Sequence, residues 1–195
     1  RIQWIESTVS HPDGTMVLAG HSQTEEGLAE HWYVALDASG EVLWQQLLET
    51  GDGQYVWGLA SRPGGGTAVM TSYRDAYMEV SQLAAVFLDA DGAILGARRY
   101  DPPSPAGIVG IRGTGDGVHL VGWQQAGTIQ GWSVPEGGEG PSCGPVFEPM
   151  EVQVLPWSVA LTDTDLTWAY QDLQTHPVSG RVHRRSGGQT FDFCF

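Results

Sequence analysis

Residues 34–44 read Val-Ala-Leu-Asp-Ala-Ser-Gly-Glu-Val-Leu-Trp, and residues 86–96 read Val-Phe-Leu-Asp-Ala-Asp-Gly-Ala-Ile-Leu-Gly. The two stretches align at an offset of 52 residues, Leu36 with Leu88. In each, a short apolar run stops at Asp, turns through Gly and resumes as a second apolar run. Asp accepts a local backbone hydrogen bond and Gly takes the positive φ of a tight turn, so each stretch reads as an antiparallel hairpin. A second pair upstream shares the offset. Pro12-Asp13-Gly14-Thr15-Met16-Val17-Leu18 matches Gly64-Gly65-Gly66-Thr67-Ala68-Val69-Met70, Thr15 with Thr67. Two separate segments at one spacing are the mark of an internal repeat.

The period continues with decay. The segment from Gly115 to Val121 follows at about the same interval, and the segment from Thr162 to Trp168 after it. The chain therefore divides into units near 1–53, 54–105, 106–152 and 153–195. The first unit predicts strands over 2–10, 15–22, 31–37 and 41–48, and the second over 55–61, 67–73, 83–89 and 93–100. Each is a short apolar or alternating run bounded by turn residues. No stretch carries a sustained helical stripe. The longest candidate, 24–30, reads as a loop between strands.

This pattern resembles a group of bacterial exported repeat proteins, similar in look to the PQQ-like and WD40-like propeller repeats. The likeness covers about 9–53 and 61–100 and is looser beyond. It implies an all-β fold: a small β-propeller of four four-stranded antiparallel blades, or part of a larger propeller. It also implies a location outside the cytoplasm, whether secreted, periplasmic or surface-anchored. In such repeats an aromatic residue of the last strand packs between neighbouring blades. Trp44 matches it, whereas Gly96 stands there in the second unit. The likeness implies no particular activity, because propellers host many.

Composition narrows the function classes. Apolar residues make up 41% and charged residues 16%, with 27 Gly and 11 Pro, a folded and turn-rich balance. Net charge is −14, and all nine basic residues are Arg. An acidic surface repels phosphate backbones, so nucleic acid is not an expected partner. The absence of Lys excludes Schiff-base and P-loop lysines, and the absence of Asn excludes N-glycosylation sequons. No apolar run approaches the ~20 residues of a membrane-spanning helix. The chain begins at Arg1, which reads as a mature or trimmed product.

Candidate sites are few. Trp4, Trp57 and Trp157 fall on the first strands of units one, two and four, where a propeller lines its axis. They could stack a ligand or simply fill a narrow core. Trp4 precedes Pro12 by eight residues and Trp57 precedes Pro63 by six, so the two share a strand face. The histidines, His11, His21, His31, His119, His176 and His183, have no ligand spacing, and no metal or other cofactor is expected. Asp89/Asp91 and Asp163/Asp165 begin like calcium loops but lack the further acids, and read as turns. Glu25, Glu26, Glu136 and Glu139 read as solvated loop acids. The cluster Arg181, Arg184 and Arg185 reads as pairing with the protein's own acids. No nucleophile elbow, zinc-protease motif or phosphate loop is present, so no catalytic residue is assigned. The expected function is a binding or scaffold module for a protein or glycan. A carbohydrate-active hydrolase with an acidic, Trp-lined axial pocket is one alternative, and a subunit of an extracellular assembly is another.

Cys143 and Cys194 match no zinc or redox spacing and are expected to form one disulfide. The chain-entropy model gives such a closure about 4 kcal/mol. Intact mass before and after reduction should differ by the two hydrogens of one bond. Two thiols that alkylate freely in the native, unreduced protein would exclude it.

Overall fold

A computed structural model describes residues 2–23, 29–49, 54–74, 80–100, 106–124, 129–137 and 148–155. It is all-β and antiparallel, with one short 3₁₀ turn at Pro63–Gly65 as the only helical element among the described residues. The first sheet contains β1 (Ile2–Ser10), β2 (Met16–Gln23), β3 (Ala29–Leu36) and β4 (Val42–Glu49), paired in chain order. The second contains β5 (Gln54–Ser61), β6 (Thr67–Arg74), β7 (Val80–Leu88) and β8 (Ile94–Tyr100), again in chain order. The third contains β9 (Ala106–Gly113), β10 (Gly117–Gln124) and β11 (Ile129–Pro135). No helix among the described residues is long and apolar enough to cross a membrane.

The hairpins form for the reasons that the sequence suggests. Asp37 Oδ1 accepts from the Ser39 and Glu41 amides at 2.8 and 3.0 Å, and Asp89 Oδ1 from Asp91 and Ala93 at 2.9 and 2.8 Å. Asp89 and Asp91 are thus turn residues. The first hairpins align differently from the sequence match. The His11 amide donates to the Thr15 carbonyl as the Arg62 amide does to that of Gly66, an offset of 51. Thr15 therefore corresponds to Gly66 rather than Thr67, because the turns superimpose on Pro12 and Pro63.

The three sheets stack face to face. Val17, Ala19, Tyr33, Ala35 and Leu48 of the first sheet meet Val56, Leu59, Val69, Val86 and Leu88 of the second. Ala60, Ala68, Met70, Leu83, Ala85 and Phe87 of the second meet Ile108, Val118, Leu120, Trp132 and Val134 of the third. The middle sheet is thus dry on both sides, which is why β7 reads Leu-Ala-Ala-Val-Phe-Leu with no polar alternation. No core cluster among the described residues joins the third sheet to the first.

Neighbouring sheets are also tied by polar contacts at matched places. Trp44 Nε1 donates to the Ala90 carbonyl at 2.9 Å, and its ring lies over Gly92. Gly92 has φ +84°, and a Cβ there would sit 2.7 Å from that ring. At Gly96 the third sheet's turn comes in instead, and a Cβ would lie 2.9 Å from the Glu136 carbonyl oxygen. Arg62, buried beside Phe87, pairs with Glu136. Glu136 is therefore an inter-sheet link and not a solvated loop acid. Sequence cannot show this, because the two residues are far apart along the chain.

Residues 148–155 depart from the expected unit boundaries. The strand β12 (Glu148–Pro149) pairs with β8, and β13 (Gln153–Leu155) pairs with β4. Met150 and Val152, between them, pack on the core shared by the first two sheets. The end of the expected third unit and the start of the fourth thus cover the outer edges of the second and first sheets. The reason is the unpaired backbone that an edge strand otherwise exposes.

His11 locks the first seam. It is 5% exposed, with Nε2 3.0 Å from Thr67 Oγ1 and Nδ1 3.0 Å from Ser61 Oγ. Burial pushes its pKa below the ordinary 6.5, outweighing the opposite pull of Asp13. Above that ordinary value both folded and unfolded chains hold neutral His11. Below it the unfolded chain binds the proton first, so stability falls as pH drops. His11→Gln should show a smaller loss of urea midpoint between about pH 7.5 and pH 5 than the wild type. Equal losses would remove His11 from the pH response.

Candidate functional site

The strand β1 carries one acid, Glu6, in the run Ile-Gln-Trp-Ile-Glu-Ser-Thr-Val-Ser. The pairing of β1 with β2 shifts between Ile5 and Ser7, which leaves Glu6 in a bulge opposite no β2 residue. Bulges re-aim side chains, and here the carboxylate turns into the seam between the first two sheets. One oxygen lies 2.9 Å from His21 Nδ1, and the other accepts from the Val56 amide of β5 at 3.1 Å. His31 Nδ1 stands 3.7 Å from that second oxygen.

The register explains the rest of the cluster. Trp4 pairs with His21, and His21 pairs with His31, so the three form a row across β1, β2 and β3. Cross-strand partners share a face. Trp4 stacks on His21 with centroids 4.6 Å apart and planes 26° apart. The His21 and His31 rings are 6.1 Å apart. Burial is graded along the row: His31 is dry at 2%, His21 is half-buried, and Trp4 is 41% exposed. Among the described residues no group of three His, Cys, Asp or Glu has metal-binding geometry.

What the arrangement offers chemically follows from Glu6. A carboxylate oxygen beside Nδ1 makes that nitrogen the donor, so Nε2 of neutral His21 is an acceptor. A histidine oriented in this way can accept a ligand's hydroxyl proton in a hydrogen bond, or act as a base toward water.

The three expected tryptophans have different fates. Trp4 is at the cluster but is not mostly buried. Trp57 sits in the bulge of β5 between Val56 and Gly58, the place that Glu6 has in β1. Tyr55, paired with Ser72, holds the place of Trp4. Trp57 Nε1 donates to Ser72 Oγ, and the ring packs on the core between the second and third sheets. Trp4 and Trp57 thus lie on corresponding faces but in different seams, and they form no common cluster. Spacing to the nearest Pro gave the face correctly and the position wrongly, since two residues on one face differ by a full pleat. Trp157, Cys143 and Cys194 lie outside the described residues, as do His176, His183, Asp163, Asp165, Glu25, Glu26, Glu139 and the three C-terminal arginines. Sequence reasoning missed Glu6. The available signal was its alignment with Trp57 through Pro12 and Pro63.

No family model matches the chain, and no curated protein matches it.

The two tryptophans should separate in stability. Trp57→Ala should cost toward the lower end of about 3–5 kcal/mol, the range for large aromatic deletions in a core. Trp4→Ala should cost less than about 1 kcal/mol, as surface changes do. Urea unfolding of both variants checks this, and equal losses would place Trp4 in the core.

Proposed function

We propose that the chain is an extracytoplasmic binding module of propeller type, holding a protein or glycan at the sheet end where Trp4, His21 and Glu6 meet. The observation that carries it is Trp4: an exposed indole, backed by a histidine that a seam carboxylate fixes. In this reading the three described sheets, an open stack by themselves, are blades of a ring of four. Three features support the ring. The first strands of the described sheets neighbour one another, β1 beside β5 and β5 beside β9. Each also bulges at the matching place, at Glu6, Trp57 and Val109. Both ends of the stack carry apolar surface. Ile5 is 54% exposed on the first sheet, and Val109 and Val121 are 67% and 42% exposed on the third. A further sheet between those ends would cover them. The likeness to exported repeat proteins and the even cysteine count support the compartment.

A second reading, a hydrolase acting on carbohydrate, is favoured by one observation, the His21–Glu6 pair as an oriented base. Against it stands the other inter-sheet carboxylate, Glu136, which is spent on Arg62 in the next seam.

Immobilised protein should bind one class of a glycan and protein array saturably. Joint replacement of residues 24–28 and 50–53 by Gly/Ser linkers should abolish that binding, because the strands they join, β2 to β3 and β4 to β5, have those ends on the Trp4 side, where Gln23 pairs with Ile2 and Ala29. Binding that survives the replacement would move the site elsewhere. Cleavage of 4-nitrophenyl glycosides that Glu6→Gln abolishes would establish the hydrolase instead.

A further inference from the structure

We infer that the face of Trp4 turned away from His21 is a subsite for a neutral saccharide. The inference rests on the binding-module reading and names its ligand class. Five tryptophan side chains are described, and four are absorbed by packing. Trp32 and Trp132 are 6% and 4% exposed. Trp44 bonds the Ala90 carbonyl, and Trp57 bonds Ser72. Trp4 alone of the five is exposed.

Its ring is nevertheless held. His21 stacks on one face, Glu6 holds His21, and Glu6 is anchored on the second sheet through the Val56 amide. A platform fixed before binding loses little conformational entropy when a ligand lands on it. A lone surface indole would need no explanation. One braced through two residues into the neighbouring sheet is pre-organised.

Shape and charge select the ligand. His21 is committed to Glu6 through Nδ1 and to Trp4 through its ring, so it braces the indole from the face opposite the ligand. The subsite therefore offers a flat apolar face, large enough for a six-membered ring and fixed from behind. A pyranose matches it, with an axial C–H face for the indole. The charged side chain in the cluster is Glu6, and the chain carries −14 overall, so phosphorylated, sulfated or uronic ligands are disfavoured. A nucleobase would stack equally well but brings phosphate with it.

The test is calorimetric titration of the full chain with cellohexaose, mannohexaose, chitohexaose and xylohexaose, with heparin hexasaccharide as the anionic counterpart. At least one neutral sugar should bind, and heparin should not. Trp4→Ala should weaken binding by about tenfold or more, the loss typical of an aromatic hot spot. Trp4→Phe should retain part of the affinity, and Trp57→Phe should leave it unchanged. Thermal midpoints confirm that each variant is folded. Preference for heparin, or no binding of any neutral sugar, would overturn the saccharide assignment. Trp4-dependent binding of a peptide in place of a sugar would overturn it too, while sparing the binding-module reading. Sugar binding that Trp4→Ala leaves intact, but that replacement of 24–28 and 50–53 removes, would overturn the platform alone.

Discussion

Leu83 to Leu88 of β7 are shut off from water on both sides, and the arrangement of the sheets depends on that. A strand dry on both faces needs a sheet above it and a sheet below it. The first and third sheets supply these, through two separate cores. Stacking in turn brings β1 alongside β5, whose outer edge would otherwise present unpaired amides inside the protein. Backbone donors left unpaired in such a place are costly. The side chains of β1 meet that need. Glu6 takes the Val56 amide and Ser7 takes that of Leu59, while His11 bonds the Ser61 hydroxyl. Hydrophobic burial thus decides that the sheets meet, and these hydrogen bonds decide where.

The candidate site is a by-product of the same constraint. Glu6 is at the seam because β5 needs an acceptor there, and the bulge supplies it without disturbing the pairing on either side. Once placed, the carboxylate also fixes His21, and His21 fixes Trp4. In the second sheet the same bulge carries Trp57 and the same β-strand partner position carries Ser72. There the pair is spent on packing against the third sheet. One backbone device therefore gives a polar corner in the first seam and an apolar one in the second. The difference lies in two side chains, Glu6 against Trp57 and His21 against Ser72.

The segment 148–155 shows how a regular array departs from its own period. Instead of extending the third sheet, β12 and β13 run along the rims of the second and first, and Met150 and Val152 close the core between them. Two- and three-residue strands contribute little pairing energy. Their value is in covering edges and in capping a seam from outside.

The sequence by itself determined the strands and turns of the first two units. Asp37, Gly40, Asp89 and Gly92 act within a few residues of chain, so their chemistry is local and readable. The two-sided burial of β7 was legible in its unbroken apolar run, and the faces of Trp4 and Trp57 in the two-residue period. Only the tertiary structure decided which face meets which sheet, where the first hairpins align, and that Glu136 pairs with Arg62. It alone set the bulge that puts Glu6 and Trp57 in equivalent places. A bulge adds one residue to a strand without marking the sequence, and contacts between sheets join residues about fifty apart. Their cause is the fit of one surface on another, which no local pattern records.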